Sequence, residues 1–499
     1  MRSIVFKIIG ALVLLAIGVF LGKSFSSGPE ENTVPMPSSI GYRMAGSSSD
    51  TLVAQTVTYD GEIIEVRQGG SIQEAVKAAS PGDLIRVYPG TYSENVYIDK
   101  DNIGLQGVVI QGEWPTLDGK KKINDAFLYS GNGILIENFK IINYKGNGIM
   151  GQAGNNFVIR NNWIIDTGVY GIFPQYGKNG LIEHNVCSKI EDAAIYVGMC
   201  DNVDVLHNEV FDNVAGIEIE NSRHCLVENN YTHNNTGGIL AFVTPGLPIK
   251  TTFDVIIRNN FVVNNNTANF GAPGSTVAGI PAGTGILIMA ADDVIVENNI
   301  ITGNNNTGIT IVDLATGAPK ANDPNSEGNP DRTIILDNIM FDNGNEPTGE
   351  IKAIMLTQMD TKGPDIFAYG GGTGSSIRDK NRYRTFGLDD WGAAQITDTK
   401  DVRTYMLPEP VAPRSVSTEE LGELTYYGVC AGCHAFGNRL IGPPTEIIQA
   451  IHNGDPQSIV DYITNPENLR DDYPEMPPQD YLSNEAKMAV AEYILAMEP

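Results

Sequence analysis

The feature that most constrains this chain is a pair of residues that keeps returning. Gly-Ile stands at Gly148-Ile149, Gly171-Ile172, Gly216-Ile217, Gly238-Ile239, Gly285-Ile286 and Gly308-Ile309, with Ala194-Ile195 in the remaining place. Fourteen residues further on comes an asparagine: Asn162, Asn185, Asn208, Asn230 and Asn299. Asn260 and Asn338 join the series once insertions of 8 and 16 residues are set aside, so the bare period is 22 to 23 residues. A coil of parallel strands stacks residues one period apart at about 4.8 Å. Stacked isoleucines fill its narrow core, because β-branched side chains suit a pleated wall. An asparagine tolerates the left-handed region at a tight bend, and its amide can hydrogen-bond stacked neighbours. Helical repeats are a poor fit, since their units need roughly 33 residues or more.

The N-terminal part agrees. Ser71 and Glu74 form a capping box that opens a short helix ending before Pro81-Gly82. Strand-like IRVYPGTYSENVYI and IGLQGVVIQG follow. The stretch SIQEAVKAASPGDLIRVYPGTYSENVYI resembles the N-terminal cap of right-handed parallel β-helix proteins, and the likeness runs over residues 60–350. The expected fold is therefore mainly β, a right-handed parallel β-helix, with a small all-α cytochrome c domain after it.

The register also separates inward from outward positions. One outward column is Met150, Phe173, Tyr196, Glu218, Leu240, Leu287 and Thr310, and a second is Gln152, Gln175, Gly198, Glu220, Phe242, Met289 and Val312. A solvated face does not carry Leu240, Phe242, Leu287 and Met289 together. Either the insertions near 243–250, 267–282 and 315–330 and the segment after 350 cover it, or it is a cleft that binds a glycan or docks the last domain.

The chain has 499 residues and a formal net charge of −27, which repels phosphate backbones and anionic membrane surfaces and excludes nucleic acid as a partner. Arg2 and Lys7 precede the apolar run Ile8 to Gly22. That pattern is a cleaved signal or a retained anchor over residues 4–22, and it predicts an extracytoplasmic protein that meets the membrane only there. The expected organisation is a leader over 1–25, a linker over 26–58, the β-helix over 59–350, its extension over 351–406, a Pro-rich linker over 407–417 and a last domain over 418–499.

On the coil, Glu218 and Glu220 share one outward face, with Arg223 and His224 in the next turn. Glycoside hydrolysis uses two carboxyl groups about 5 to 9.5 Å apart, so this cluster is the catalytic candidate, beside the plainer reading of a polar ladder. His184 and His207 should stack, as turn residues or as two ligands of a metal. Cys187 and Cys225 fall inward, and Cys200 lands in a turn, where its thiol would be open to reaction.

The tail reads VCAGCHAFGNRLIGPP from Val429 to Pro444. Ser417 and Glu420 form a second capping box, opening a helix that runs into Cys430, Cys433 and His434. C-x-x-C-H is the pattern of c-type haem attachment. Zinc would need two more ligands and only His452 is near, while a thioredoxin-like pair expects a βαβ setting. Met476, in YPEMPPQ, is the candidate sixth ligand, with His452 the alternative. Residues 418–499 look like a class I cytochrome c domain. That resemblance implies a helix crossing of Gly422 or Tyr426 against Tyr493, and a Pro443 carbonyl that orients His434. The whole order resembles bacterial parallel β-helix repeat proteins that occur beside, or fused to, c-type cytochromes. It implies an exported electron-transfer protein carrying one covalent haem c, working with a basic redox partner protein, its coil a binding or spacing module open to a glycan. The alternative is a polysaccharide lyase or hydrolase with an accessory cytochrome domain.

Overall fold

Each coil of the chain lays down three short strands, one for each of three parallel sheets, as Ile149–Gln152, Phe157–Arg160 and Trp163–Ile165 do. Among the described residues of this computed structural model the sheets hold 13, 11 and 10 strands. The description covers residues 59–273, 275–318, 323–468, 470 and 472–498. The leader and linker expected over 1–58 lie outside it. Among the described residues no helix is long and apolar enough to cross a membrane. The candidate anchor over residues 4–22 lies outside the described residues.

The Gly-Ile register holds. Ile149 pairs with Ile172, Ile172 with Ile195, Ile195 with Ile217, and the row continues through Ile239 and Ile286 to Ile309. Every one of these isoleucines is buried, and fully burying such a side chain contributes about 1.5 to 3 kcal/mol. The result is a right-handed parallel β-helix.

The asparagines hold the coils together, but not by the conformation expected. In each coil the left-handed residue is the one before the ladder asparagine: Asn161 (φ 55°), His184 (φ 55°), His207 (φ 58°), Asn229 (φ 57°) and Asp337 (φ 49°). The ladder asparagine itself points inward and serves its neighbours. Asn185 donates its backbone N–H and its amide to Asn208 Oδ1 at 2.9 and 3.0 Å, and Asn208 Nδ2 donates to Ile182 O at 3.0 Å. A second ladder runs five residues further on through Asn213, Asn235, Asn265, Asn304 and Asn343. His184 and His207 do stack, 4.8 Å apart and 12° from parallel.

The N-terminal helix, Ile72–Ala78, is capped differently from the sequence expectation. Ser71 Oγ accepts from Glu74 N–H at 3.2 Å, but the reciprocal carboxylate is Glu94, which accepts from the Ile72 and Gln73 N–H groups at 2.9 and 3.0 Å. Glu74 instead pairs with Lys77. The Ser417–Glu420 box forms as expected, each backbone N–H donating to the other side chain.

After the last coil a strap runs back along the 13-stranded sheet. Tyr405 N–H donates to Asp204 Oδ1 at 2.9 Å, Leu407 N–H to Asn179 Oδ1 at 2.8 Å and Val411 N–H to Asn156 Oδ1 at 2.8 Å. Short helices follow at Leu421–Thr425, Thr445–His452, Pro456–Thr464 and Asn484–Ala496. They pack against the coil, and the described residues belong to one compact unit.

Candidate active site

Both outward columns of the 11-stranded sheet have the expected register, with Glu218 paired to Leu240 and Glu220 to Phe242. Two covers meet on this face. Over the later coils lie Ile280, Leu314 and the helix Gly349–Thr357, which contributes Ile351 and Met355. Over the earlier coils lie the C-terminal helices: Tyr481 O–H accepts from Gln152 Nε2 at 2.5 Å, and Tyr427 O accepts from Gln175 Nε2 at 2.5 Å. The approach is close enough to need glycine, since a Cβ on Gly432 would stand 2.2 Å from Gln175 Oε1 and 2.6 Å from Phe173 Cζ. The insertions cover one half of the face, and the last segment docks on the other.

Where the covers meet, a cleft closes over three carboxyl groups. Tyr170, Asp192, Tyr196, Glu218, Glu220 and Phe242 form its floor, and Ser275–Val277, Gly432, Leu440 and Ile441 close it. Glu220 accepts hydrogen bonds from the Tyr196 and Thr244 hydroxyls. Burial pushes its carboxyl up to about 7, against the Thr244 bond that pulls it down. Glu218 and Asp192 are held well above the usual carboxylate range, first by burial and then by repulsion, from Asp192 on Glu218 and from Glu220 on Asp192. Glu218 Oε1 and Asp192 Oδ1 have no hydrogen-bond partner. Tyr170 and Tyr196 stack beside them, 4.6 Å apart and 21° from parallel.

Residues two apart on one strand, as Glu218 and Glu220 are, lie about 6.6 Å apart along the backbone, a spacing compatible with the separation that paired glycosidase carboxyls need. The expected neighbours Arg223 and His224 do not join them. Both turn to the adjacent sheet and pair with Asp201, at 3.9 and 2.6 Å. Asp192, in the turn before the strand Ala193–Gly198, takes that place and was not visible in the outward columns.

The raised carboxyl of Glu220 makes a stability prediction. A group whose folded value lies above its unfolded value contributes stability that is complete below about pH 4 and lost as pH rises through about 7. Glu220→Gln keeps an acceptor for Tyr196 and Thr244 but carries no charge. Denaturant unfolding should show equal stability of the two proteins at pH 4, and the variant the more stable at pH 8 by on the order of 3 kcal/mol.

The tail holds the other candidate residues, Cys430, Cys433, His434 and Met476. His434 is buried and its Nδ1 donates to the Pro443 carbonyl at 2.8 Å, which leaves Nε2 free of that bond. Burial holds the imidazole below its ordinary value. A Cβ on Gly442 would stand 2.3 Å from the ring. Tyr426 O–H donates to His434 O at 2.7 Å, and the rings of Tyr426 and Tyr493 are 5.6 Å apart. Gly422 presses on Ala489 O and Tyr493 Cβ, where an added Cβ would stand at 2.4 and 3.0 Å, so each of the two alternatives for the crossing lies beside Tyr493. Cys430 ends the turn Tyr426–Cys430, and Met476 packs on the same apolar cluster. Burial pushes both thiols, Cys430 and Cys433, up to about 12. Two thiols three positions apart, an imidazole fixed through Nδ1 and a thioether on the cluster that Cys430 also borders are residue types that fit a covalently held haem.

Cys187 and Cys225 are buried as expected, but Cys200 is corrected. It lies in the core rather than on the turn's outer side, its Sγ meets Pro174 O and Gly198 O at 3.3 Å, and burial pushes its thiol up to about 12. It is a poor nucleophile.

The chain is, by fold, a right-handed parallel β-helix whose outward face carries an enclosed carboxyl cluster. Residues 120–246 match the family described as right handed beta helix region. No curated protein matches. Among solved structures the chain is similar to the A-module of mannuronan C-5 epimerase AlgE4 of Azotobacter vinelandii, at 16% identity and a TM-score of 0.46, over 64% of this chain and 95% of that one. It is similar to an alginate lyase of Paenibacillus sp. str. FPU-7, at 15% identity and a TM-score of 0.38, over 58% and 98%. It is also similar to the catalytic domain of a GH87 alpha-1,3-glucanase, at 15% identity and a TM-score of 0.40, over 63% and 53%. The expectation of an electron-transfer protein is corrected here: the family match lies on the coil and does not reach the C-terminal helices.

Proposed function

We propose that this chain is a polysaccharide-active β-helix enzyme with Glu218 and Glu220 at its catalytic centre. The observation that carries the reading is the enclosed trio of Asp192, Glu218 and Glu220, whose surroundings hold protons to different degrees. Pairs of acids pushed apart in this way are how one site holds both an acid and a base near neutral pH. Glu218, kept protonated beside Asp192, donates to the leaving glycosidic oxygen. Glu220, held by Tyr196 and Thr244, accepts a proton from water or attacks the sugar carbon.

The test is product release by the full-length protein from a set of polysaccharides across pH. Activity should rise as Glu220 ionises through about pH 7 and fall at higher pH as the Asp192–Glu218 pair loses its proton. No product from any polymer, or a flat profile, sinks the reading.

For the C-terminal helices we infer an accessory module of class I cytochrome c type that binds one haem c. Cys430 and Cys433 would hold it through thioether bonds, and His434 and Met476 would ligate the iron. The 2.8 Å bond from His434 to Pro443, which fixes the imidazole tautomer, supports this. Such a group supplies a one-electron centre when bound. Protein made where haem c is attached should have the mass of the polypeptide plus one haem and a sharp reduced α band, and Cys430→Ala should weaken the attachment. A colourless protein of bare mass refutes it.

A further inference from the structure

We propose that the open side of the 10-stranded sheet holds an uncharged polysaccharide chain, on a face separate from the carboxyl cluster; the choice of a glycan rests on reading this chain as a polysaccharide enzyme. In four successive coils the outward positions of this sheet stack Tyr231 on Phe261, Phe261 on Ile300 and Ile300 on Ile339. A second outward column runs two residues further on, from His233 to Phe341. Tyr231, Phe261, Ile339 and Phe341 are 40 to 52% exposed, whereas Thr232, Val262 and Ile301, between the columns, point inward and are buried. No Asp, Glu, Lys or Arg stands in either column of these coils, in a chain of net charge −27.

The rings are arranged to receive something. Tyr231 lies over His233, 4.1 Å away and 24° from parallel, and Phe261 stands at 81° to it with the centroids 6.3 Å apart. Two aromatic faces at that angle make an open corner for the C–H side of a sugar ring. His233 is held in place by stacking on Phe211 and by Glu209 at 3.3 Å. Both rims of the face carry amides. Asn229, Asn259 and Asn298 border one side and Asn234 and Asn264 the other, all exposed and all in the left-handed region. An amide both donates and accepts, as a sugar hydroxyl does. The coils repeat at about 4.8 Å, so the same contacts recur along the axis and a polymer of like units meets them in turn.

Other occupants fit the face poorly. Strands of three residues make it about 10 Å wide and four coils make it about 20 Å long. That footprint is roughly a quarter of the ~800 Å² that each partner covers in a stable protein complex. A second copy would also bring its own charge of −27. An anionic membrane surface attracts Lys and Arg, which both columns lack.

The experiment retards the full-length protein in native gels cast with a soluble linear glucan, mannan or xylan, with alginate as the acidic comparison. At least one uncharged polymer should retard it, and Tyr231→Ala combined with Phe261→Ala should lower that affinity at least tenfold. Tyr231→Phe combined with Phe261→Tyr keeps both rings and should keep the binding. An affinity that survives the double alanine, an equal loss in the variant that keeps the rings, tighter binding of alginate, or a ring-dependent dimer in sedimentation each overturns the inference. Cleavage of any polymer in those cases leaves the enzymatic reading standing. Binding through the rings with no polymer cleaved upholds the inference and removes that reading instead. If no polymer is bound or cleaved, both fall.

Discussion

Replacing Asn208 by alanine should lower the stability of the coil by about 3 to 5 kcal/mol, read as a drop in the denaturant midpoint at constant slope. The estimate follows from what the side chain does in the middle of the ladder. Its Oδ1 accepts the backbone N–H of Asn185, and its Nδ2 donates to the carbonyl of Ile182. Alanine leaves both groups buried and unpaired, and each such group costs about 1 to 3 kcal/mol. Loss of the amide contacts to Asn185 and Asn230 adds to this. Asn213→Ala in the second ladder is the matched control. Asn213 accepts from Ile190 N–H at 2.9 Å and donates to Cys187 O at 3.3 Å, so its loss should be of the same order. A cost below 1 kcal/mol at both positions would show that the amide ladders are ornaments on a coil held by its isoleucines alone.

The ladders also show what can be read from a sequence and what cannot. Inward isoleucines and outward columns follow from a strict period, because a parallel coil translates sequence spacing directly into stacking. The second ladder follows the same spacing from Asn213 onward, but Thr167 and Ile190 occupy its place in earlier coils and hide it. The left-handed bend belongs to the residue before each ladder asparagine, since the asparagine is needed inside as a donor and acceptor. Glu94 could not be assigned to the helix cap, because it reaches Ser71 only after an intervening strand pair brings it back. In the cleft, Glu218 and Glu220 were legible as neighbours on one strand, whereas Asp192 reaches them only through the turn geometry of the preceding coil. Cys200 misled for a related reason: a two-residue turn between strands points one side chain out and the other into the core.

Glu218→Gln should lower turnover by roughly 10²- to 10⁴-fold, the usual contribution of a positioned general acid. Glutamine preserves the shape of the side chain and removes only the proton, so the substrate affinity should change far less than the rate. Stability should not fall either, because the enclosed carboxyl is already favoured in its neutral form. Asp192→Asn is expected to act differently. Asp192 repels the ionised form of Glu218, so its neutral replacement lets Glu218 ionise more readily and moves the alkaline limb of the activity profile to lower pH. A buried cluster with a purely structural role would give neither result: Glu218→Gln would leave the rate unchanged, and Asp192→Asn would shift the melting temperature without moving the limb. The comparison therefore separates an acid at work from a carboxyl merely enclosed, and it does so in the intact protein with both covers in place.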